Sequence, residues 1–251
     1  MKRDFDEHTP ELMDVPQPAS AELEKDLENL TSLNRHFGSH RLICRFLDTW
    51  LKPGGNYRIL DLATGAGDIP RLIVRWARAR GVTVQIEALD ANPGTVEIAR
   101  KASGEYPEIT WTCGDAREGV AGGGFDLVNC SLALHHFSET DAIRLLRNAR
   151  RAANRWVLVS DLERHWTTSV GVWLLTALIY REPMTRYDGR LSARRAFSYG
   201  EMAGLAESAG WESFGQARFL FCRQAIWLAE EDLGEIPVDP VPVQTTLPCP
   251  T

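Results

Sequence analysis

From Ala21 to Trp50 the apolar residues recur every three or four positions. Leu23, Leu27, Leu30, Leu33 and Phe37 come first; past Gly38 follow Leu42, Ile43, Phe46, Leu47 and Trp50. That spacing lines one face of a helix, so the pattern predicts two amphipathic helices, closed by the turn residues Lys52-Pro53-Gly54-Gly55. From Tyr57 onward the period changes. Tyr57–Thr64, Val84–Ala91, Ile109–Cys113, Phe125–Leu132 and Trp156–Ser160 are short apolar runs that read as buried strands. Helical stretches over Pro70–Arg80, Pro93–Ser103 and Glu139–Ala153 separate most of them, while the link Asp115–Gly124 is short and glycine-rich. Such alternation needs right-handed crossovers, and so predicts a mainly parallel sheet with helices on both faces.

The pattern shifts again after the fifth strand. Trp166–Tyr180 reads as an apolar helix, and Arg181–Arg195 as a basic, irregular stretch containing Pro183 and Gly189. Ser198–Ala209 is predicted as a helix, with Ser198 and Glu201 spaced as a capping box. Trp211–Leu220 and Phe221–Ala229 then read as two closing strands, paired as a hairpin. This gives a plan of an arm and helical lid (1–55), a main domain (56–234) with an insertion at 166–197, and a tail (235–251). The tail has five prolines and is expected to be disordered.

Composition narrows the function. A chain of 251 residues suffices for one large domain. A net charge of -6 with no Lys/Arg-rich block argues against a nucleic-acid partner. The longest apolar run, Val170–Tyr180, falls well short of the roughly 20 residues that cross a bilayer. The N-terminus is charged and lacks the apolar stretch of a signal peptide. Cys44, Cys113, Cys130, Cys222 and Cys249 are scattered, without the spacing of a metal site or a disulfide framework. No metal is expected, and a cytoplasmic protein is the simplest reading.

The chemistry concentrates in Arg58-Ile-Leu-Asp-Leu-Ala-Thr-Gly-Ala-Gly-Asp-Ile-Pro70, a strand that runs through a Gly-X-Gly turn into a helix. Asp68 reads as that helix's N-cap, with Pro70 in its first turn. A Gly-X-Gly-X-X-Gly/Ala dinucleotide fingerprint starting at Gly65 would need Gly or Ala at position 70, which is proline. Starting at Ala63 it would need one at 68, which is aspartate. The pyrophosphate pattern fails in both registers, which weakens an NAD-dependent oxidoreductase as the alternative. Asp61 precedes the turn, Asp90 ends the second strand and Asp115 follows the third. Three acids at successive strand ends around a glycine turn suit a ligand with a ribose, an amine and positive charge.

Residues 56–163 resemble the core of class I S-adenosylmethionine-dependent methyltransferases. The resemblance rests on Ile59-Leu-Asp-Leu-Ala-Thr-Gly-Ala-Gly67, Ala88-Leu-Asp-Ala-Asn-Pro93, Cys113-Gly-Asp-Ala116 and Phe125-Asp-Leu-Val-Asn-Cys-Ser-Leu-Ala-Leu-His-His-Phe137. It implies a Rossmann-like, mainly parallel seven-stranded sheet with an antiparallel edge strand, and S-adenosylmethionine as cofactor. It places Asp61 near the methionine amine, Gly65 and Gly67 beneath the methionyl part, Asp90 with Ala91 at the ribose, and Asp115 with Ala116 at the adenine. The Asn129 backbone carbonyl would hold the amino group. Ala63 stands where the family usually has glycine.

For the acceptor, His135 and His136 follow the fourth strand at the mouth where the methyl should sit, as general base or clamp. Asp161 and His165 end the fifth strand at the same edge. Asn34-Arg-His-Phe-Gly-Ser-His-Arg41 resembles lid segments, from which Arg35 or His40 would reach the cofactor carboxylate. The 166–197 insertion, with Trp173, Tyr180, Met184 and Tyr187 among arginines, reads as a cap over a flat, apolar acceptor with an anionic or hydroxylated edge. Its rival reading is a homodimer contact. The expected activity is methylation, preferably at oxygen, of a small aromatic or polyketide-like molecule of secondary metabolism. A cofactor-binding protein without transferase activity is the further alternative.

Overall fold

The computed structural model describes residues 2–119 and 123–229, so the expectation for the tail at 235–251 lies outside them. The strands are β1 (Asn56–Leu62), β2 (Thr83–Asp90), β3 (Ile109–Cys113), β4 (Phe125–Ser131), β5 (Ala153–Leu162), β6 (Gly215–Phe219) and β7 (Arg223–Leu228). They form one sheet in the order β3-β2-β1-β4-β5-β7-β6. The first five are parallel, whereas β7 runs antiparallel to β5 and pairs with β6 as the hairpin. This is the seven-stranded, mainly parallel sheet that the resemblance implies.

Eight α-helices complete the described fold: α1 (Ala21–His36), α2 (Ser39–Trp50), α3 (Asp68–Arg80), α4 (Pro93–Lys101), α5 (Glu139–Ala152), α6 (Trp166–Leu178), α7 (Pro183–Arg195) and α8 (Tyr199–Ser208). Alternate residues of each central strand enter different cores. Ile59, Leu127, Trp156 and Leu158 pack with α2 and α3, while Leu60, Val128, Val157 and Val159 pack with α5 and α8. Both faces are covered, which is why the strands read as continuous apolar runs rather than alternating ones. Trp50 stacks on Trp156 with ring centroids 5.7 Å apart, fastening α2 to the sheet.

Two expectations change, and the arm gains anchors that its sequence does not announce. Arg181–Arg195 is not irregular, since Pro183 opens α7 and the Glu182 side chain caps it at Thr185 N. Gly189 lies where α7 meets α6, and a Cβ there would make ordinary contact 3.5 Å from Thr176. Asp68 is the first residue of α3 rather than its cap, because Gly67 takes that place at φ 70. Finally, the arm has only one short 3-10 turn (Leu12–Asp14), but it is firmly held. The Asp188 carboxylate of α7 accepts from Leu12 N and Met13 N at 2.7 and 3.0 Å, and Asn92 Nδ2 donates to Met13 O at 2.8 Å. Side chains of α7 and of the α4 cap thus satisfy backbone groups that an arm without a partner strand would leave to water.

Candidate active site

Strand order reverses between β1 and β4, and a cleft opens at the carboxyl ends of strands around such a point. Here it is a cavity of about 870 Å³, walled by the glycine loop, the ends of β2 and β4, α6, and the N-terminal arm. Backbone strain gathers around it. The non-glycine residues with left-handed φ among the described ones are Ala63, Leu132, Phe221 and Cys222, and all four line the cavity. Such conformations cost about 1–3 kcal/mol each and persist where the surroundings enforce them, commonly at ligand sites.

On one side lie the strand-end acids. Asp90 accepts from Gly65 N at 2.8 Å and Asn92 N at 3.0 Å, so it braces the glycine turn while facing the cavity. Gly65 has open space where a Cβ would project; Gly67 does not, because a Cβ there would come within 2.3 Å of the Trp111 ring. Asp61 is buried, with Thr64 Oγ1 and Asn129 Nδ2 each donating to it at 2.6 Å. Burial outweighs those two hydrogen bonds and pushes its carboxyl up to about 7. Asp115 and Ala116 reach the wall, but Asp115 is already paired with Arg117 at 2.6 Å, which lowers its pKa. Asn129 sits inside the sheet, opposite Asp61 and Leu158; Ser131, Leu132 and Ala133 take its place on the cavity wall.

At the start of α3, His40 Nε2 donates to Asp68 Oδ2 at 2.7 Å and Asn34 Nδ2 donates to the same oxygen at 3.2 Å. His40 is buried beneath this acid, and Arg35 points to solvent, so neither stands on the cavity wall. Asn34 and Phe37 do, being on the other face of α1 and at its end.

Across the cavity lies a buried polar cluster. His135 Nδ1 donates to Asp161 Oδ1 at 2.6 Å and His136 Nδ1 to Asp14 Oδ2 at 2.5 Å. Burial disfavours a charge on His136, but Asp14 and Glu11 outweigh it and bring its pKa up to about 10. The two imidazoles hold the carboxyls of Asp161, which is buried, and of Asp14, which stands at the rim, below the usual range. Asp188 is pushed up to about 7 by burial, against its two backbone N–H donors. α6 presents Thr168, Gly171, Val172 and Leu175 to this side, with Phe37 and Phe221 nearby.

Trp173 and Tyr187 lie outside the cavity wall and are 53% and 42% exposed. Helical phase is the reason for Trp173: residues 168, 171, 172 and 175 share the inward face, and 173 points away. His165 is exposed and caps α6 through Thr167 N. Sequence reading missed Glu11, Asp14, Asp188 and Ser192 as wall or wall-bracing residues; the arm has no periodicity to reveal which side faces inward.

A glycine turn, strand-end carboxylates and a reversal of strand order define a nucleoside-binding α/β fold. Residues 59–155 match the family described as a methyltransferase domain. A 2-phytyl-1,4-naphtoquinone methyltransferase of Thermosynechococcus vestitus is 35% identical over 80 residues, 32% of this chain and 34% of that protein. The chain thus matches about a third of the length of this curated relative. In fold, the chain is similar to a putative O-methyltransferase from Nostoc punctiforme (TM-score 0.60, 18% identity, 83% of this chain and 60% of that one). It is also similar to a plantazolicin methyltransferase in complex with a desmethyl analogue and SAH (TM-score 0.62, 13% identity, 83% and 96%). A third neighbour is the magnesium protoporphyrin IX methyltransferase of Synechocystis with bound SAH (TM-score 0.52, 17% identity, 76% and 82%). Residues 59–155 are a methyltransferase domain, and the chain has the fold of S-adenosylmethionine-dependent methyltransferases of solved structure. S-adenosylmethionine is the cofactor of that class. The residues present fit it: an open left-handed glycine faces the cavity beside the Asp90 carboxylate, and Asp68 occupies the α3 N-terminus where a pyrophosphate would need free N–H groups.

Among the described residues no helix is long and apolar enough to cross a membrane.

Proposed function

We propose that this protein methylates an oxygen of a small, flat, largely apolar acceptor. The observation that carries the reading is one cavity with two unlike ends: the glycine turn and its acids, and an α6 wall facing the histidine–carboxylate cluster. Bound S-adenosylmethionine supplies an electrophilic methyl group. The chain's residues align the partners: Asp90 with Ala91 holds the ribose diol, Asp115 with Ala116 the adenine edge, and Asp61 the amino group. Gly171, Val172 and Leu175 cover the acceptor's apolar face and exclude water. His136, held by Asp14, stands on the wall where it can steady the acceptor oxygen. His135, locked by Asp161, orients beside it. Relatives named for a naphthoquinone and a porphyrin acceptor support a flat ring system.

The direct test is methyl transfer across a panel of phenols and naphthoquinols, with Gly171→Phe alongside. Filling the α6 wall should raise the acceptor KM severalfold and leave the Kd for S-adenosylhomocysteine unchanged, whereas Trp173→Ala should leave kcat/KM intact. Cofactor binding with no transfer to any panel member would favour a binding protein instead. The outward face of α6 supports a second role in self-association, since Trp166, Val170, Trp173 and Leu178 are exposed together. In that case Trp173→Ala lowers the mass seen by light scattering.

The Asp61 assignment predicts a pH dependence. With a carboxyl pKa near 7 in the free protein, Asp61 is mostly neutral at pH 6 and mostly ionised at pH 8. An ammonium group binds the ionised form, so calorimetry should find S-adenosylhomocysteine binding about tenfold tighter at pH 8 than at pH 6. Asp61→Asn should flatten that profile; an unchanged slope in the variant would remove Asp61 from the amine.

A further inference from the structure

Three carboxylates converge on two adjacent imidazoles in the cavity wall, Glu11 and Asp161 from buried positions and Asp14 from the exposed rim. Both rings are oriented alike. Each Nδ1–H is directed at a carboxylate, Asp161 for His135 and Asp14 for His136, so each Nε2 is turned toward Glu11. His135 Nε2 stands 3.9 Å from Glu11 Oε1 and His136 Nε2 stands 3.9 Å from Glu11 Oε2. Glu11 itself is 1% exposed, and Ser192 Oγ is its hydrogen-bond donor, at 2.9 and 3.0 Å.

The nearby guanidinium groups act on Asp14 and Asp161 only through space and direct their hydrogen bonds elsewhere. Arg3 donates to the carbonyls of His135, Phe137 and Arg195, and Arg195 to those of Asp6 and Thr9. Positive charge is favoured between a carboxylate buried this deeply and two ring nitrogens, and a metal ion can replace the Nε2 proton there.

We propose that Glu11, His135 and His136 form a site for a divalent first-row transition-metal ion. Two imidazoles and one carboxylate are a ligand set that such ions accept, with further positions open toward the cavity. Asp161 and Asp14 then play the part of outer carboxylates that fix the ring tautomer and turn Nε2 to the metal. The distances suit this. Two ligands about 2.1 Å from one ion stand at most about 4.2 Å apart, and both 3.9 Å separations fall inside that limit. The three ligand atoms all lie within 4.8 Å of one another, so small side-chain rotations complete the set. An ion here would meet the polar edge of whatever occupies the α6 side, since all three ligands line the cavity. The sequence could not show the site, because Glu11 reaches the histidines only through the fold.

The test uses tag-free full-length protein, stripped with EDTA and titrated with Zn²⁺ by calorimetry, with Co²⁺ absorption as a second readout. One ion per chain with a Kd of about 1 μM or tighter is expected. Glu11→Gln and His136→Ala should abolish the Co²⁺ band and weaken Zn²⁺ at least about 100-fold, and Asp14→Asn should weaken it about 10–100-fold. Unchanged circular dichroism and S-adenosylhomocysteine affinity in Glu11→Gln verify that the variant folds. Absence of Zn²⁺ binding to the unsubstituted chain, or equal binding by Glu11→Gln and His136→Ala, overturns the site and leaves an ion-pair cluster. Stripped protein that binds S-adenosylhomocysteine but no Zn²⁺ refutes the metal alone; protein that binds Zn²⁺ but no S-adenosylhomocysteine refutes the cofactor assignment alone.

Discussion

Asp90→Ala should weaken S-adenosylhomocysteine binding by about 1.5–3 kcal/mol, the scale of a lost hydrogen bond to a charged group. Two effects add in this residue. Its proposed role is as the diol acceptor, and it also receives the Gly65 and Asn92 backbone N–H groups at 2.8 and 3.0 Å. Truncation therefore removes a ligand contact and leaves two donors of the loop without a partner. Asp90→Asn separates the two, because one amide oxygen can still accept from the loop while the charge on the diol is gone. An intermediate loss is expected there, with a smaller drop in melting temperature than for alanine. Calorimetry that finds wild-type affinity in folded Asp90→Ala would sink the cofactor pocket as drawn.

How much of this was legible in the sequence differs between the fold and the site. Strands buried on both faces leave apolar runs, and Trp156 through Val159 is such a run, as is Ile59 through Leu62 apart from Asp61. Caps were legible for the same local reason: Ser198 and Glu201 form the box their spacing implies. α7 was hidden because Pro183 and Gly189 read as breakers, whereas one starts the helix and the other lies within it beside α6. On α6, residue type misled. Trp173 looked like an acceptor platform, but phase turns it outward and gives the inner face to Thr168, Gly171, Val172 and Leu175. The acids of the arm were out of reach for a different reason. Glu11 and Asp14 take their meaning from α7 and from the histidines after β4, contacts that no local pattern encodes.

The two glycines of the turn should respond in opposite ways to the same methyl group. Gly67 has φ 70 and caps α3, and a Cβ there would lie 2.3 Å from Trp111 Cη2 and 2.9 Å from Cζ3. Left-handed backbone costs an alanine about 1–2 kcal/mol, and forcing a methyl into a packed ring costs about 1–3 kcal/mol more. Gly67→Ala should thus lose about 2–5 kcal/mol of stability, a fall in melting temperature on the order of 10 °C for a chain of this size. Gly65 has φ 52 but meets nothing within 4 Å, and it stands on the cavity wall. The loop already carries one methyl in a left-handed position, Ala63 at φ 51, so a second is strained but buildable. Gly65→Ala should keep most of its stability, losing only about 1–2 kcal/mol to the backbone. Its added methyl occupies space needed by the ligand, so S-adenosylhomocysteine affinity should drop about tenfold or more, equivalent to about 1.4 kcal/mol. Thermal melts and calorimetry on the two variants decide the matter. Equal melting temperatures would mean that Trp111 yields easily, and unchanged affinity in Gly65→Ala would mean that the ligand does not lie against this turn.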